Sequence, residues 1–99
     1  MLLKVKIEGR DTKNGAGVAL VHDYTLHMLV YNFCESENHT GKAPPEGRIE
    51  VGQLPTALAN AHSFKHGICP LEEQVAVDLV ATLLNHAKAY ECAVVWSKV

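Results

Sequence analysis

An Asn-Gly dipeptide at positions 14 and 15 constrains this chain more than any other feature of its sequence. Both central residues of a type I′ turn need a positive φ angle, which Asn-Gly accommodates well. We therefore expect these two residues to connect two antiparallel strands. With them as the loop, the numbers of facing residues sum to 29, which pairs Leu3 with Leu26, Val5 with Tyr24, and Ile7 with His22.

The segments on either side of this turn have the patterns of strands. Residues 2–8 alternate, with Leu3, Val5 and Ile7 on one face and charged residues on the other, which predicts a half-buried strand. Residues 17–33 are predicted to continue as one long strand, because β-branched and aromatic residues dominate there. Its core face would then carry Val18, Leu20, His22, Tyr24, Leu26, Met28 and Val30.

The long second strand leaves one alternative open. Seventeen residues is long for a strand, so we expect a bulge or break near residues 23–24, which would shift the register beyond it. A helix is the rival interpretation, because helical spacing also fits Val18, Val21, Thr25, Leu29 and Phe33.

The far end of this predicted strand is apolar on its reverse face, at Leu29, Tyr31 and Phe33. A helix, a second sheet or another subunit must cover such a surface. Centres of interfaces are rich in aromatic residues and poor in charge, so we predict these three residues and Trp96 as interface residues.

The middle of the chain has weaker signals. Residues 35–48 are polar and rich in Gly and Pro, which predicts one long loop. Residues 48–52 follow as a short strand, expected at a sheet edge. Pro55 and Thr56 then offer a helix start, and Gly67 offers its end.

The last third of the chain has the clearest helix signal. Pro70 and the acidic pair Glu72-Glu73 suit a helix start, and residues 70–90 carry an amphipathic pattern. The predicted buried arc contains Ala76, Leu79, Val80, Leu83, Leu84, Ala87 and Tyr90. Residues 92–98 are expected to form a strand inside the sheet, because they are apolar on both sides near Val94.

Together these elements predict a single small α+β domain over residues 1–99, with the order β-β-(β)-α-α-β. Its mainly antiparallel sheet begins with the long N-terminal hairpin. The long C-terminal amphipathic helix packs on one face of that sheet.

Composition narrows the classes of function. A net charge of −2 and scattered basic residues argue against nucleic-acid binding, which usually needs a basic face. No segment has the length of apolar residues that a membrane span requires, and the N-terminus lacks the pattern of a signal peptide. Three cysteines at wide spacing suggest reduced thiols, so a cytoplasmic location is expected.

Six histidines is a high number for 99 residues, and two of them are candidate metal ligands. His62 and His66 would share one face of a helix, and Cys69 follows three residues later. Imidazole and thiolate are the ligands that zinc prefers, so these three residues form a possible zinc site. A fourth ligand could come from Cys34, His39 or Cys92. No other cofactor is indicated. If the zinc site is not formed, we expect the protein to have no cofactor.

The sequence indicates two further candidate sites. Cys69 lies before a helix, where a lowered thiol pKa would make it reactive, with His66 as a possible base. His22 and Tyr24 share the core face in the predicted register and could line a ligand pocket. No Ser/His/Asp triad or phosphate-binding loop accompanies them.

These observations favour a non-catalytic module that acts by protein–protein interaction or self-association. Small bacterial or viral regulators and inhibitors are proteins of this general class. A homodimer is the expected form, because a long two-sided strand is a natural edge for dimerisation. The alternatives are a small metal- or thiol-dependent enzyme using His62, His66 and Cys69, and a small-ligand sensor using His22 and Tyr24 with the 35–48 loop as a lid.

Overall fold

The structure, a computed structural model, describes residues 1–9, 17–34, 41–67 and 69–99. Within them, one antiparallel sheet has the strand order β2-β1-β4-β3. Its strands are β1 (Leu2–Ile7), β2 (Val18–His22), β3 (Gly47–Ile49) and β4 (Val94–Lys98). The helices are α1 (Asp23–Val30), α2 (Leu54–His66) and α3 (Gln74–Tyr90). The chain is thus a small α+β domain, as its sequence predicts.

The alternation in β1 sorts its residues as predicted. Leu3, Val5 and Ile7 are buried in the core, while Lys4 and Lys6 are exposed on the opposite face of the sheet. The buried face packs against the helices, with α3 in contact with both β1 and β2. The opposite face of β1 is open to solvent, which leaves a two-layer arrangement of helices on one sheet.

The hairpin exists, but its predicted register is wrong. Leu3 pairs with Val21 and Val5 pairs with Ala19, whereas His22 pairs with Leu2. Because a shift by an odd number of residues exchanges the two faces of a strand, the core side of β2 consists of Ala19 and Val21. The turn predicted at Asn14-Gly15 lies outside the described residues.

The prediction of one strand over residues 17–33 is wrong beyond His22. The strand ends where the sequence suggested a bulge or break, near residues 23–24, and only the part after it follows the helical alternative. After His22 the chain enters α1. Leu26, Leu29 and Val30 are fully buried, at the spacing i, i+3, i+4 that one face of a helix requires. A strand would place Leu26 and Leu29 on opposite faces of the sheet, so the helix is the arrangement that buries all three in one core.

The predicted helices after the long loop are confirmed with small shifts. α2 has Pro55 in its first turn, and it ends at Gly67. A 3-10 turn over Leu71–Glu73 precedes α3. The buried residues of α3 are Val77, Val80, Leu83, Leu84 and Ala87. The arc is rotated relative to the predicted one, because Leu79 and Tyr90 are exposed.

β4 lies inside the sheet and β3 at its edge, as the sequence predicts. β3 begins at Gly47, within the predicted loop, and ends at Ile49, so the predicted strand over residues 48–52 is too long; a 3-10 turn over Val51–Gln53 follows it. Residues 41–46 form neither helix nor strand, and residues 35–40 lie outside the described part. Beside β3, the buried Trp96 side chain donates a hydrogen bond from Nε1 to the Pro44 carbonyl oxygen at 2.8 Å. This bond ties the segment before β3 to β4.

Among the described helices, none combines the length and the apolar character that crossing a membrane requires.

Candidate functional site

The two histidines of the predicted zinc site lie side by side on α2. His62 and His66 are exposed, and the centroids of their rings are 4.5 Å apart. They line a groove of about 340 Å³ between α2 and α3. Across this groove the Lys65 ammonium lies 2.6 Å from the Asp78 carboxylate, which ties the two helices together. The spacing of four residues on a helix thus produces the predicted adjacency.

Cys69 does not join these histidines. It is buried after the end of α2, its backbone N–H donates to the Phe64 carbonyl, and its Sγ lies 3.5 Å from the Pro70 carbonyl oxygen. Throughout the described ranges, no three His, Cys, Asp or Glu side chains stand together in a way that could hold a metal ion. Of the residues considered as a fourth ligand, His39 lies outside those ranges.

The environment of Cys69 does not suit an activated nucleophile. Burial, and then the negative charge of Glu73 and Asp78, raise the pKa of the Cys69 thiol above its ordinary value. A helix N-terminus was expected to lower that pKa, but desolvation of the thiolate and the nearby carboxylates outweigh it. The arrangement therefore keeps the thiol protonated at neutral pH.

We expect Cys69 to react slowly with a thiol reagent at pH 7.5, because only the thiolate attacks and the side chain is buried. The variant Cys34→Ser/Cys92→Ser retains Cys69 alone, and Cys34→Ser/Cys69→Ser retains the less buried Cys92 as its matched control. The rate of labelling in native buffer measures the difference. Faster labelling of Cys69 than of Cys92 would contradict this assignment and restore the thiol-dependent enzyme.

His22 and Tyr24 are close together, but not through strand pairing. Their rings are stacked, with centroids 5.7 Å apart and an angle of 4° between the planes. His22 Nε2 lies 3.9 Å from a Glu73 carboxylate oxygen, and the Thr25 hydroxyl donates to the other oxygen of Glu73 at 3.4 Å. These contacts join the start of α1 to the start of α3.

The carboxylate of Asp23 is used inside the fold. It is buried, its Oδ1 accepts the Tyr24 backbone N–H at 2.9 Å, and its Oδ2 lies 3.5 Å from the Met1 amine. The Asp23 N–H in turn donates to the Met1 carbonyl. These partners give Asp23 a structural role at the junction of β2 and α1, beside the exposed His22–Tyr24 stack.

The predicted interface residues are largely covered by the chain itself. Leu29 and Trp96 are buried, and Phe33 is partly buried against the core. α2 covers Leu29, whose carbonyl oxygen accepts a hydrogen bond from the Asn60 side chain at 2.9 Å. Only Tyr31 of this set is well exposed, so the apolar end that suggested a subunit contact is not a continuous surface.

A different apolar surface lies along β2, which is one edge of the sheet. On β2 itself, Leu20 is 47% exposed; on α3, which contacts β2, Val75 and Leu79 are 69% and 53% exposed. Val18 and Leu79 line the same groove of about 110 Å³, which places the helix directly beside the strand. We call Val18, Leu20, Val75 and Leu79 the β2 edge surface.

The two edges of the sheet differ in their protection. The edge strand β3 has three residues; its Arg48 pairs with Glu8 and with Glu50, and Pro44 and Pro45 precede it. Charges, prolines and shortness are the usual means by which edge strands avoid pairing with other chains. β2 has five residues, Val-Ala-Leu-Val-His, and contains neither a proline nor a Lys, Arg, Asp or Glu. It therefore offers an edge suited to pairing.

Sequence reasoning missed this surface because Leu79 was assigned to the buried arc of α3 and Leu20 to the core face of β2. The available signal was the spacing of Val75 and Leu79, four residues apart on α3, with Leu71 four residues earlier in the 3-10 turn before it. In the structure all three are exposed.

Comparison with protein-family models, with curated proteins and with solved structures gives no match to this chain.

Proposed function

We propose that this chain is a small non-catalytic interaction module that acts by self-association, and that two copies pair through the β2 edge surface. The observation that supports it is that, among the described residues, β2 is an edge strand without charge or proline, and that exposed apolar side chains lie on it and on the neighbouring α3. This surface replaces the apolar end of residues 29–33, on which the sequence-based prediction rested.

A second copy of the chain fits this edge better than a charged partner does. A two-fold axis brings the same surface of both copies together, so charges of one sign concentrated on that surface would repel each other. The β2 strand avoids this repulsion because it carries no Lys, Arg, Asp or Glu. Antiparallel pairing of β2 with its copy would extend the sheet and let the exposed row of α3 meet the same row of the partner.

The exposed apolar side chains supply part of the area that such a contact needs. A stable interface commonly removes about 800 Å² from each partner. Leu71, Val75, Leu79 and Leu20 are each about half exposed or more, so pairing would bury apolar surface on each of them, and the backbone of β2 would add to that area.

We expect the chain to be a dimer by light scattering, and Val75→Lys to weaken that dimer by roughly 10-fold to 100-fold, the effect of losing 1–3 kcal/mol at an interface. The introduced ammonium would lie against apolar side chains and against its own copy. Because Val75 is 69% exposed, the substitution should leave the monomer folded, which circular dichroism checks.

Val51→Lys is the matched control, since Val51 is also exposed but lies next to β3 at the opposite edge. It should leave the monomer–dimer equilibrium unchanged. Equal weakening by both variants would place the interface elsewhere. A wild-type chain that stays monomeric up to about 1 mM would contradict self-association itself.

A further inference from the structure

The pair of imidazoles on α2 has features of a ligand site that the proposed function does not use. No hydrogen bond or ion pair within the described part of the chain engages either His62 or His66, and the two rings are 4.5 Å apart. Neither ring is therefore held by such a partner, and the backbone positions of the two residues lie one turn of α2 apart. Two imidazoles held together in this way can bind one cation at once.

The groove around the pair adds an electrostatic argument. The positive charge nearest in sequence is Lys65, but its ammonium is held by Asp78 at 2.6 Å, across the groove. This ion pair reduces the repulsion that a cation bound by the histidines would experience. Asn85 supplies a further polar side chain to the lining.

We propose that His62 and His66 together bind one divalent transition-metal cation of the class that prefers imidazole, such as Zn²⁺, Cu²⁺ or Ni²⁺. The site differs from the zinc site that the sequence suggested, because the buried Cys69 is not part of it. Water completes the coordination, so the site is an open one. Its location between α2 and α3 makes it independent of the β2 edge surface and of the proposed function.

Titration of the full chain with ZnCl₂, in a buffer that does not bind metals, tests this site by calorimetry. We expect one principal binding event, which weakens at least about tenfold in both His62→Gln and His66→Gln, since each removes one of two ligands. His86→Gln is the matched control: His86 is a single exposed histidine on α3, and its loss should leave binding unchanged.

A second readout identifies the ligands directly. Substoichiometric Cu²⁺ should broaden the ring proton NMR signals of His62 and His66 before those of the other histidines. Lys65 provides an electrostatic check, because Lys65→Met removes a positive charge beside the site and frees Asp78, so the affinity for Zn²⁺ should rise.

The proposal is overturned if His62→Gln binds Zn²⁺ as tightly as the wild-type chain, or if other histidines broaden first with Cu²⁺. It is also overturned if no binding is detected at about 1 mM Zn²⁺. The variant Val75→Lys should retain metal binding whatever its oligomeric state, so failure of this site and failure of the proposed self-association are distinguishable.

Discussion

Val21→Asp is expected to unfold the chain, whereas Leu20→Asp, one position earlier, leaves it folded. Val21 is 1% exposed and pairs with Leu3 on the core face, while Leu20 is 47% exposed on the opposite face. An unpaired carboxylate placed in the core costs several kcal/mol, which is comparable with the 5–15 kcal/mol that stabilise a typical domain. Far-UV circular dichroism and urea titration measure the difference.

This pair of variants tests the register of the hairpin, because a shift by one residue exchanges the two faces of β2. The register that Asn14-Gly15 suggests would bury Leu20 and expose Val21, and it predicts the opposite result. Both variants are best compared at low protein concentration, since Leu20 also belongs to the β2 edge surface. An unfolded Leu20→Asp beside a stable Val21→Asp would contradict the pairing described above.

Gly47→Ala is expected to lower the free energy of unfolding by about 1–3 kcal/mol, the usual cost of forcing extra atoms into a packed region. A Cβ at Gly47 would overlap the indole ring of Trp96, which lies against this glycine in the neighbouring strand. Moving the ring would strain its hydrogen bond to the Pro44 carbonyl. Urea unfolding and the position of the tryptophan fluorescence maximum report the two effects.

Gly52→Ala provides the matched control for this prediction. A Cβ at Gly52 meets no atom within 4 Å, so the added methyl group should change stability by a few tenths of a kcal/mol at most. Equal losses in both variants would mean that the glycine backbone, and not the indole ring, is responsible. An unchanged stability of Gly47→Ala would show that the contact with Trp96 is absent.

The parts of the fold that the sequence predicts are those where one periodicity dominates. β1 alternates without exception, so Leu3, Val5 and Ile7 could be placed in the core. α2 carries a start and a stop signal, with Gly67 after its last residue as expected, and the region of α3 carries a start signal and an amphipathic pattern. The position of β4 inside the sheet followed from its apolar character on both sides, and β3 lies at the sheet edge as expected.

Residues 23–30 could not be assigned in this way, because alternation and helical spacing coexist there. The tertiary structure decides between them: Leu26, Leu29 and Val30 reach the same core only as a helix. The error in register has a related origin. A turn signal fixes the register only if its two residues form the loop of the hairpin. The burial of Ala19 and Val21 favours the pairing that the structure shows, in which Leu3 faces Val21.

The candidate sites, too, could be predicted only in part. Adjacency within one helix was predictable, so His62 and His66 are side by side. Adjacency between elements was not, because it depends on packing. Cys69 is buried away from that pair, and Glu73 comes close to His22 only through the docking of α3 beside α1 and β2. The β2 edge surface likewise combines residues from two elements that are far apart in sequence.

Isotope-filtered NMR on an equimolar mixture of labelled and unlabelled chains tests the central claim most directly, because it detects only contacts between two copies. Self-association through the β2 edge surface predicts intermolecular contacts among residues 18–22 and from Leu79 to its counterpart. Two results would contradict it. One is that the intermolecular contacts are confined to another surface. The other is that no intermolecular contacts appear while Val75→Lys and the wild-type chain have the same mass at the same concentration.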